Sequence, residues 1–288
     1  MYFLALSIVC STLNHLIFKA FQRWNIAILS AIVTNYLICI FIGYVSLDKA
    51  IFNVSLWHQK WFFYSWVQGC LFIGSFFFMG LATQRSGIGV AALSSRLAVV
   101  IPILAAFILY GDSLNFFKLT GILGAIIALY LGSTETESLK KLKKDATPIL
   151  PLALFILFGF HLTFAKYVQE FHLNRISYHG YVMFAFASAF LIGLSTLAYC
   201  LVRGTIAIGR REIGAGIILG INNYGSIYFL IRALGQDGWE SSVIFPTISV
   251  AVVILSFLGG SVLFGEGVSR RKRIAMTVGV VAILCINR

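Results

Sequence analysis

Arg96 stands deep inside the run Ser86–Gly111, which contains no other Asp, Glu, Lys or Arg. A guanidinium is always charged and presents five N–H donors in a planar fork. At bilayer depth a charge costs from about 2.5 kcal/mol upward unless something answers it. Two answers fit. Either the guanidinium faces a cavity and pairs with the anionic group of a small substrate, or it is bonded within the protein to backbone carbonyls, Glu240 or Glu266. Lys19 and Lys166 lie near the ends of two other apolar runs. Each either snorkels its ammonium to the interface, the cheaper arrangement, or lines the same interior. A positive interior without a central acid favours carboxylate or phosphate substrates and disfavours organic cations.

Asp112 and Glu266 each close an apolar run, where the macrodipole of a helix C-terminus disfavours a carboxylate. Lys118 and the Arg270–Arg273 cluster are close enough in sequence to compensate them as interfacial ion pairs; making and breaking such pairs would serve as a gate. Pro246 and Pro102 lack an N–H, so they free the carbonyls of Ser242 and Ala98 as acceptors. Ser242, Phe245 and Ser249 share one helical face, as do Asn222 and Ser226. Those faces are expected to wall a cavity, with interhelical hydrogen bonding as the plainer role for any one of them. His15 and His161 could carry protons near neutral pH, although a lone His in a helix more often packs or bonds.

Enzyme chemistry finds little support in the residues. There is no His-Glu-x-x-His and no Gly-rich phosphate loop before Lys-Ser or Lys-Thr. Tyr110-Gly-Asp112 is only faintly like an intramembrane aspartyl protease motif, and a second intramembrane Asp is missing. No catalytic residue, cofactor or metal site is expected. The five cysteines, Cys10, Cys39, Cys70, Cys200 and Cys285, are scattered without Cys-x-x-Cys spacing and read as small core residues.

The elements that must position these groups follow from composition. Of 288 residues, 59% are hydrophobic and 11% charged, with mean hydropathy +0.92, which excludes a soluble globular domain. With 26 Phe, 12 Tyr and 5 Trp, disorder is excluded too. A membrane admits only helices and closed barrels, and long unbroken apolar runs are helical rather than barrel-like. Ten such runs can be read: 1–18, 24–47, 61–84, 86–111, 119–134, 146–165, 176–202, 213–231, 241–265 and 274–287. The fifth is extended to about Leu114 with Lys118 snorkelling, and the tenth, the shortest run, needs similar help from its flanking arginines. Met1–Phe18 lacks the basic start and cleavage site of a signal peptide and reads as the first span. The net charge of +12 sits mostly between runs, so it anchors the helices at the interface; a nucleic-acid partner is not expected.

The polar stretch 133–147 divides the chain into 1–132 and 148–288, with five runs on either side. Phe107-Ile-Leu-Tyr-Gly-Asp112 and Ser261-Val-Leu-Phe-Gly-Glu266 occupy equivalent places. So do Leu81-Ala82 with Gly87 and Arg232-Ala233 with Gly238, and Asn14 with Lys19 and His161 with Lys166. A unit with an odd number of spans, repeated in tandem, must place its second copy upside down. An all-α polytopic fold of ten transmembrane helices as a five-plus-five inverted repeat is therefore expected, an architecture that can alternate access to a central site. Gly216-x-x-x-Gly220, Gly121-x-x-x-Ala125 and Ser256-x-x-x-Gly260 mark close helix contacts.

These motifs, with Asn222-Asn-Tyr-Gly-Ser-Ile-Tyr-Phe-Leu-Ile-Arg-Ala-Leu234 and Glu240-Ser-Ser-Val-Ile-Phe-Pro246, make the chain resemble the EamA-like branch of the drug/metabolite transporter superfamily over essentially its whole length. Ser11-Thr12 stands where the family usually has Trp-Gly, and Asp112 where Glu is commoner. The resemblance implies a secondary transporter in the plasma (inner) membrane, without ATP hydrolysis. Asn14, His161, Asn222 and Tyr228 lie in these motifs and join Arg96, Ser242, Phe245 and Ser249 as candidate substrate-binding residues. Asp112, Glu266, Lys19 and Lys166 are the candidate gating or interface pairs.

Positive charge is concentrated on one set of loops, at Arg23, Arg85, the linker lysines, Arg203, Arg210, Arg211 and Arg270–Arg273. The positive-inside rule puts both termini outside, whereas the resemblance implies both in the cytoplasm. The expected function is secondary-active transport of a small metabolite, an amino acid or organic anion, by alternating access. A non-transporting scaffold or sensor and an exporter of cationic drugs are the alternatives. The expected partners are the small-molecule substrate and membrane lipid, and a homodimer is compatible with the sequence.

Overall fold

In lipid, a backbone can satisfy its N–H and C=O groups only within its own segment or across a closed sheet, and this chain takes the first route. The computed structural model describes residues 2–47, 59–86, 94–112, 115–133, 149–174, 177–204, 209–236, 238–265 and 269–286. Among them lie ten helices and no strand: α1 (Tyr2–Arg23), α2 (Ile28–Val45), α3 (Lys60–Ser86), α4 (Val100–Leu109), α5 (Phe116–Ser133), α6 (Ile149–His172), α7 (Tyr178–Val202), α8 (Arg210–Leu234), α9 (Ser241–Phe264) and α10 (Arg270–Ile286). At ~1.5 Å per residue, the 27 residues of α3 extend about 40 Å.

Seven helices, namely α1, α2, α3, α6, α7, α8 and α9, are long and apolar enough to cross a membrane. Two apolar helical stretches, Ser94–Leu109 and Phe116–Leu131, are shorter. α10 has 17 residues and opens with Arg270, Arg271, Lys272 and Arg273. Large apolar side chains point outward, among them Ile108 at 80% and Val262 at 82% exposure, as a lipid-facing surface requires.

Packing divides the chain into two compact units. The first comprises Met1–Ile73 and Tyr167–Gly235, the second Gly74–Lys166 and Gln236–Arg288. Each unit thus draws helices from both sides of the 133–147 linker.

In the first unit α2 packs on both α7 and α8, and α8 also packs on α1. Missing side chains allow the approach: a Cβ at Gly216 of α8 would lie 2.6 Å from the carbonyl of Ala31, and one at Gly220 would lie 2.8 Å from that of Asn35. This is the close contact read from Gly216-x-x-x-Gly220. Tyr36 of α2 is fully buried, with its ring 5.7 Å from that of Phe186, and Phe72 stacks on Phe186 from α3. The Tyr181 hydroxyl donates to Gln68 Oε1 at 3.0 Å.

In the second unit α5 packs on α10, and α9 touches α4, α5 and α10. A Cβ at Gly121 would lie 2.8 Å from the backbone nitrogen of Ile286, so the small-residue signal at 121 also marks a helix contact. Ser256 and Gly260 are on α9, where Gly260 is buried. Leu154 of α6 is fully buried against Phe78, Met79, Leu150 and Phe158.

Candidate functional site

Arg96 lies in the second unit, in the helical turn Ser94–Leu97 that precedes α4. The helix breaks at Ala98–Val99, and Pro102 explains why: it has no N–H for the carbonyl of Ala98, and its ring disfavours regular helix over the preceding turn. The sequence expectation that Ala98 offers a free carbonyl is corrected, since Ala98 O accepts the N–H of Ile101 at 3.1 Å. The Arg96 carbonyl accepts the N–H of Val99 at 3.4 Å. Its side chain is half-buried, and among the described residues no carboxylate pairs with it. The guanidinium therefore sits beside a break in an apolar helical stretch, where backbone turns away from regular pairing.

α6 meets α4 at Gly159. A Cβ at Gly159 would lie 2.6 Å from Ile101 Cβ. Further along, Lys166 Nζ lies 5.4 Å from the centre of the Tyr110 ring. Lys166 is buried, so the snorkelling account is corrected: its ammonium stays within the fold over an aromatic face. Lys19 of α1 is half-buried. His161 is buried, edge-on to the ring of Phe158.

Asp112 follows Gly111, whose φ of 66° ends the α4 segment; Gly265 ends α9 at φ 67°. Both glycines of the repeated motif thus adopt the left-handed conformation that favours glycine after a helix. The Asp112 carboxylate accepts the backbone N–H of Ser242 at 2.8 Å, so it rests on the N-terminus of α9. The dipole that disfavours it at the end of one helix is outweighed by that of another, whose N–H groups point at it. Lys118 was expected to snorkel and to compensate Asp112. It is instead buried and forms an ion pair with Glu240, the residue preceding α9. Glu240 also accepts the Ser242 hydroxyl at 3.3 Å. Glu266 lies outside the described residues.

Of the face expected to wall a cavity, Ser242 and Phe245 are buried at 0% and 3% exposure, and Ser249 is half-buried. Pro246 is also buried within α9.

In the first unit Asn14 and Asn222 meet. Asn222 Nδ2 donates to Asn14 Oδ1 at 2.7 Å and to the Cys10 carbonyl at 2.7 Å. Asn14 Nδ2 donates to Asn223 Oδ1 at 3.5 Å, and Asn223 Nδ2 to Asn35 Oδ1 at 3.2 Å. Ser11 and Ser226 hydroxyls lie 2.9 Å apart. The result is an amide ladder that ties α8 to α1 and α2, the interhelical role that apolar surroundings favour.

Tyr228 belongs to a different group. Its ring stacks on His179 at 4.2 Å, and His179 Nδ1 is 2.7 Å from the Tyr224 hydroxyl. One turn on, Arg232 lies 4.6 Å from the ring centre of Phe3, 5.5 Å from that of Tyr178 and 5.9 Å from that of Tyr228. The sequence placed Arg232 in a repeat motif and in the Asn222–Leu234 run without giving it a binding role, and did not single out His179. The i, i+4, i+8 spacing of Tyr224, Tyr228 and Arg232 on one helical face was the available signal.

No family model matches the chain. An uncharacterized protein of Haemophilus influenzae (strain ATCC 51907 / DSM 11121 / KW20 / Rd) is 25% identical over 298 residues, covering 99% of this chain and 97% of that protein. One solved crystal structure is similar with a TM-score of 0.74 at 17% identity, covering 99% of this chain and 94% of that one. The likeness is one of fold alone.

Proposed function

We propose that this chain is a multi-pass secondary transporter of the plasma (inner) membrane, with ten spans in a five-plus-five inverted repeat, carrying a small metabolite with a carboxylate or other anionic group. The observation that bears the reading is Arg96. It is a charged fork in an otherwise apolar stretch, without a carboxylate partner among the described residues, beside a helix broken by Pro102. Broken helices near bilayer mid-depth are where transporters expose backbone and charge to a substrate. The matched glycine conformations at Gly111 and Gly265 support the equivalence of the two halves. The resemblance to EamA-like transporters points the same way.

In this reading the substrate anion neutralises Arg96 inside the protein, and the empty carrier bears the cost of the unpaired charge. The test is uptake by proteoliposomes over a panel of amino acids, organic anions, sugar phosphates and cationic drugs, with Arg96→Ala alongside. Uptake of anionic or zwitterionic compounds by the parent, lost in a folded Arg96→Ala, supports the proposal. Uptake of cations alone, or unchanged anion uptake in Arg96→Ala, refutes the role of Arg96; no uptake of any class argues for a scaffold or sensor.

A further inference from the structure

The C-terminal turn of α8 carries a second cationic group that the transport reading does not use. The Arg232 guanidinium is bounded by the rings of Phe3, Tyr178 and Tyr228. Among the described residues it makes one hydrogen bond, from Nη1 to the Tyr228 hydroxyl, long at 3.4 Å, and no Asp or Glu pairs with it. Arg232, Phe3, Tyr228 and His179 are half-buried, so part of each side chain stays accessible. Backbone geometry holds the far wall in place, because a Cβ at Gly235 would meet the Tyr178 hydroxyl and lie 3.0 Å from Gln169 Nε2.

The surrounding rings attract the guanidinium through their π faces, while its N–H donors lie along its edge. That edge matches a carboxylate, which can accept two parallel bonds. A single positive charge in a partly desolvated place neutralises one negative charge, while a dianion would retain an uncompensated charge at high cost. The neighbouring rings of His179 and Tyr228, parallel within 20°, supply a flat apolar wall against which an aromatic ring gains offset stacking. The geometry points to a binding site for an aromatic monocarboxylate at Arg232, with the carboxylate on the guanidinium edge and the ring beside Tyr228 and His179. The inference stands whether or not the chain transports.

Benzoate is the probe, followed by calorimetry and by the melting midpoint of the detergent-purified full chain, with benzylamine and inorganic phosphate as controls. Benzoate is expected to bind with Kd in the millimolar range or tighter and to raise the midpoint, while benzylamine does neither. Phosphate is expected to bind at least tenfold more weakly. Arg232→Gln should weaken benzoate at least tenfold. Should that variant fail to fold, Arg232→Lys keeps the charge but loses the fork and the stack, and is expected to weaken benzoate similarly. Arg210→Gln, an exposed arginine at the opposite end of α8, should leave benzoate binding unchanged. Absence of benzoate binding to the folded parent overturns the inference, as does equal binding of benzylamine, unaltered binding in Arg232→Lys, or an equal loss of binding in Arg210→Gln.

Discussion

The carboxylate of Asp112 accepts the backbone N–H of Ser242 at 2.8 Å, so the residue that follows one helix caps the start of another far along the chain. An oxygen at such a place satisfies one of the donors that every helix leaves open at its N-terminus. Asp112→Ala is expected to destabilise the chain by about 1 kcal/mol, and Asp112→Asn by less, since its amide oxygen can still accept. Chemical denaturation in detergent measures both. Equal losses in the two variants would show that charge alone, and not the hydrogen bond, acts here.

Lys118 is buried and Glu240 about a third exposed, at 6% and 35% side-chain exposure. Deleting one partner of a buried pair strands the other, at about 3–5 kcal/mol for full burial. Lys118→Met leaves the more exposed member behind and is expected to cost about 1–2 kcal/mol, less than Glu240→Gln, which strands the buried ammonium. The double variant should recover part of the loss. A double variant as unstable as the sum of the two would exclude coupling.

Gly216 and Gly220 let α8 approach α2 until a side chain would strike the carbonyls of Ala31 and Asn35. Gly220→Val is expected to cost about 1–3 kcal/mol or more by overpacking. Gly214, beside which a Cβ meets nothing within 4 Å, should accept Ala freely and gain helix propensity of up to about 1 kcal/mol. Comparable melting of the two variants would contradict the packing of α8 on α2.

Asn14 and Asn222 bond to each other at 2.7 Å. A double-mutant cycle with alanine at both positions should give a coupling of about 0.6 kcal/mol, the average for interhelical hydrogen bonds in membranes, and no more than about 1.7. Transport by the folded single variants decides what else they do. If Asn14→Ala retains uptake in proportion to its folded fraction, the amide ladder is structural and not part of a substrate site.

The helices were legible in the sequence because lipid leaves the backbone one local solution: an unbroken apolar run must bond within itself. The interruption at Pro102 and the ends of the runs at Asp112 and Glu266 were equally local, since a missing N–H acts on its own turn, while the left-handed glycines before the two acids came from the structure. Gly216-x-x-x-Gly220 likewise announced a contact, though not with which helix. What only the tertiary structure decided was the partner of each polar group. Lys118 meets Glu240 rather than a sequence neighbour, Asp112 meets Ser242, Asn222 meets Asn14, and Arg232 is enclosed by Phe3 and Tyr178. Periodicity places a side chain on a face of its own helix; the helix opposite that face is chosen by packing summed over the whole fold. In a medium without water to compete, each polar group then bonds to whatever that packing brings within reach.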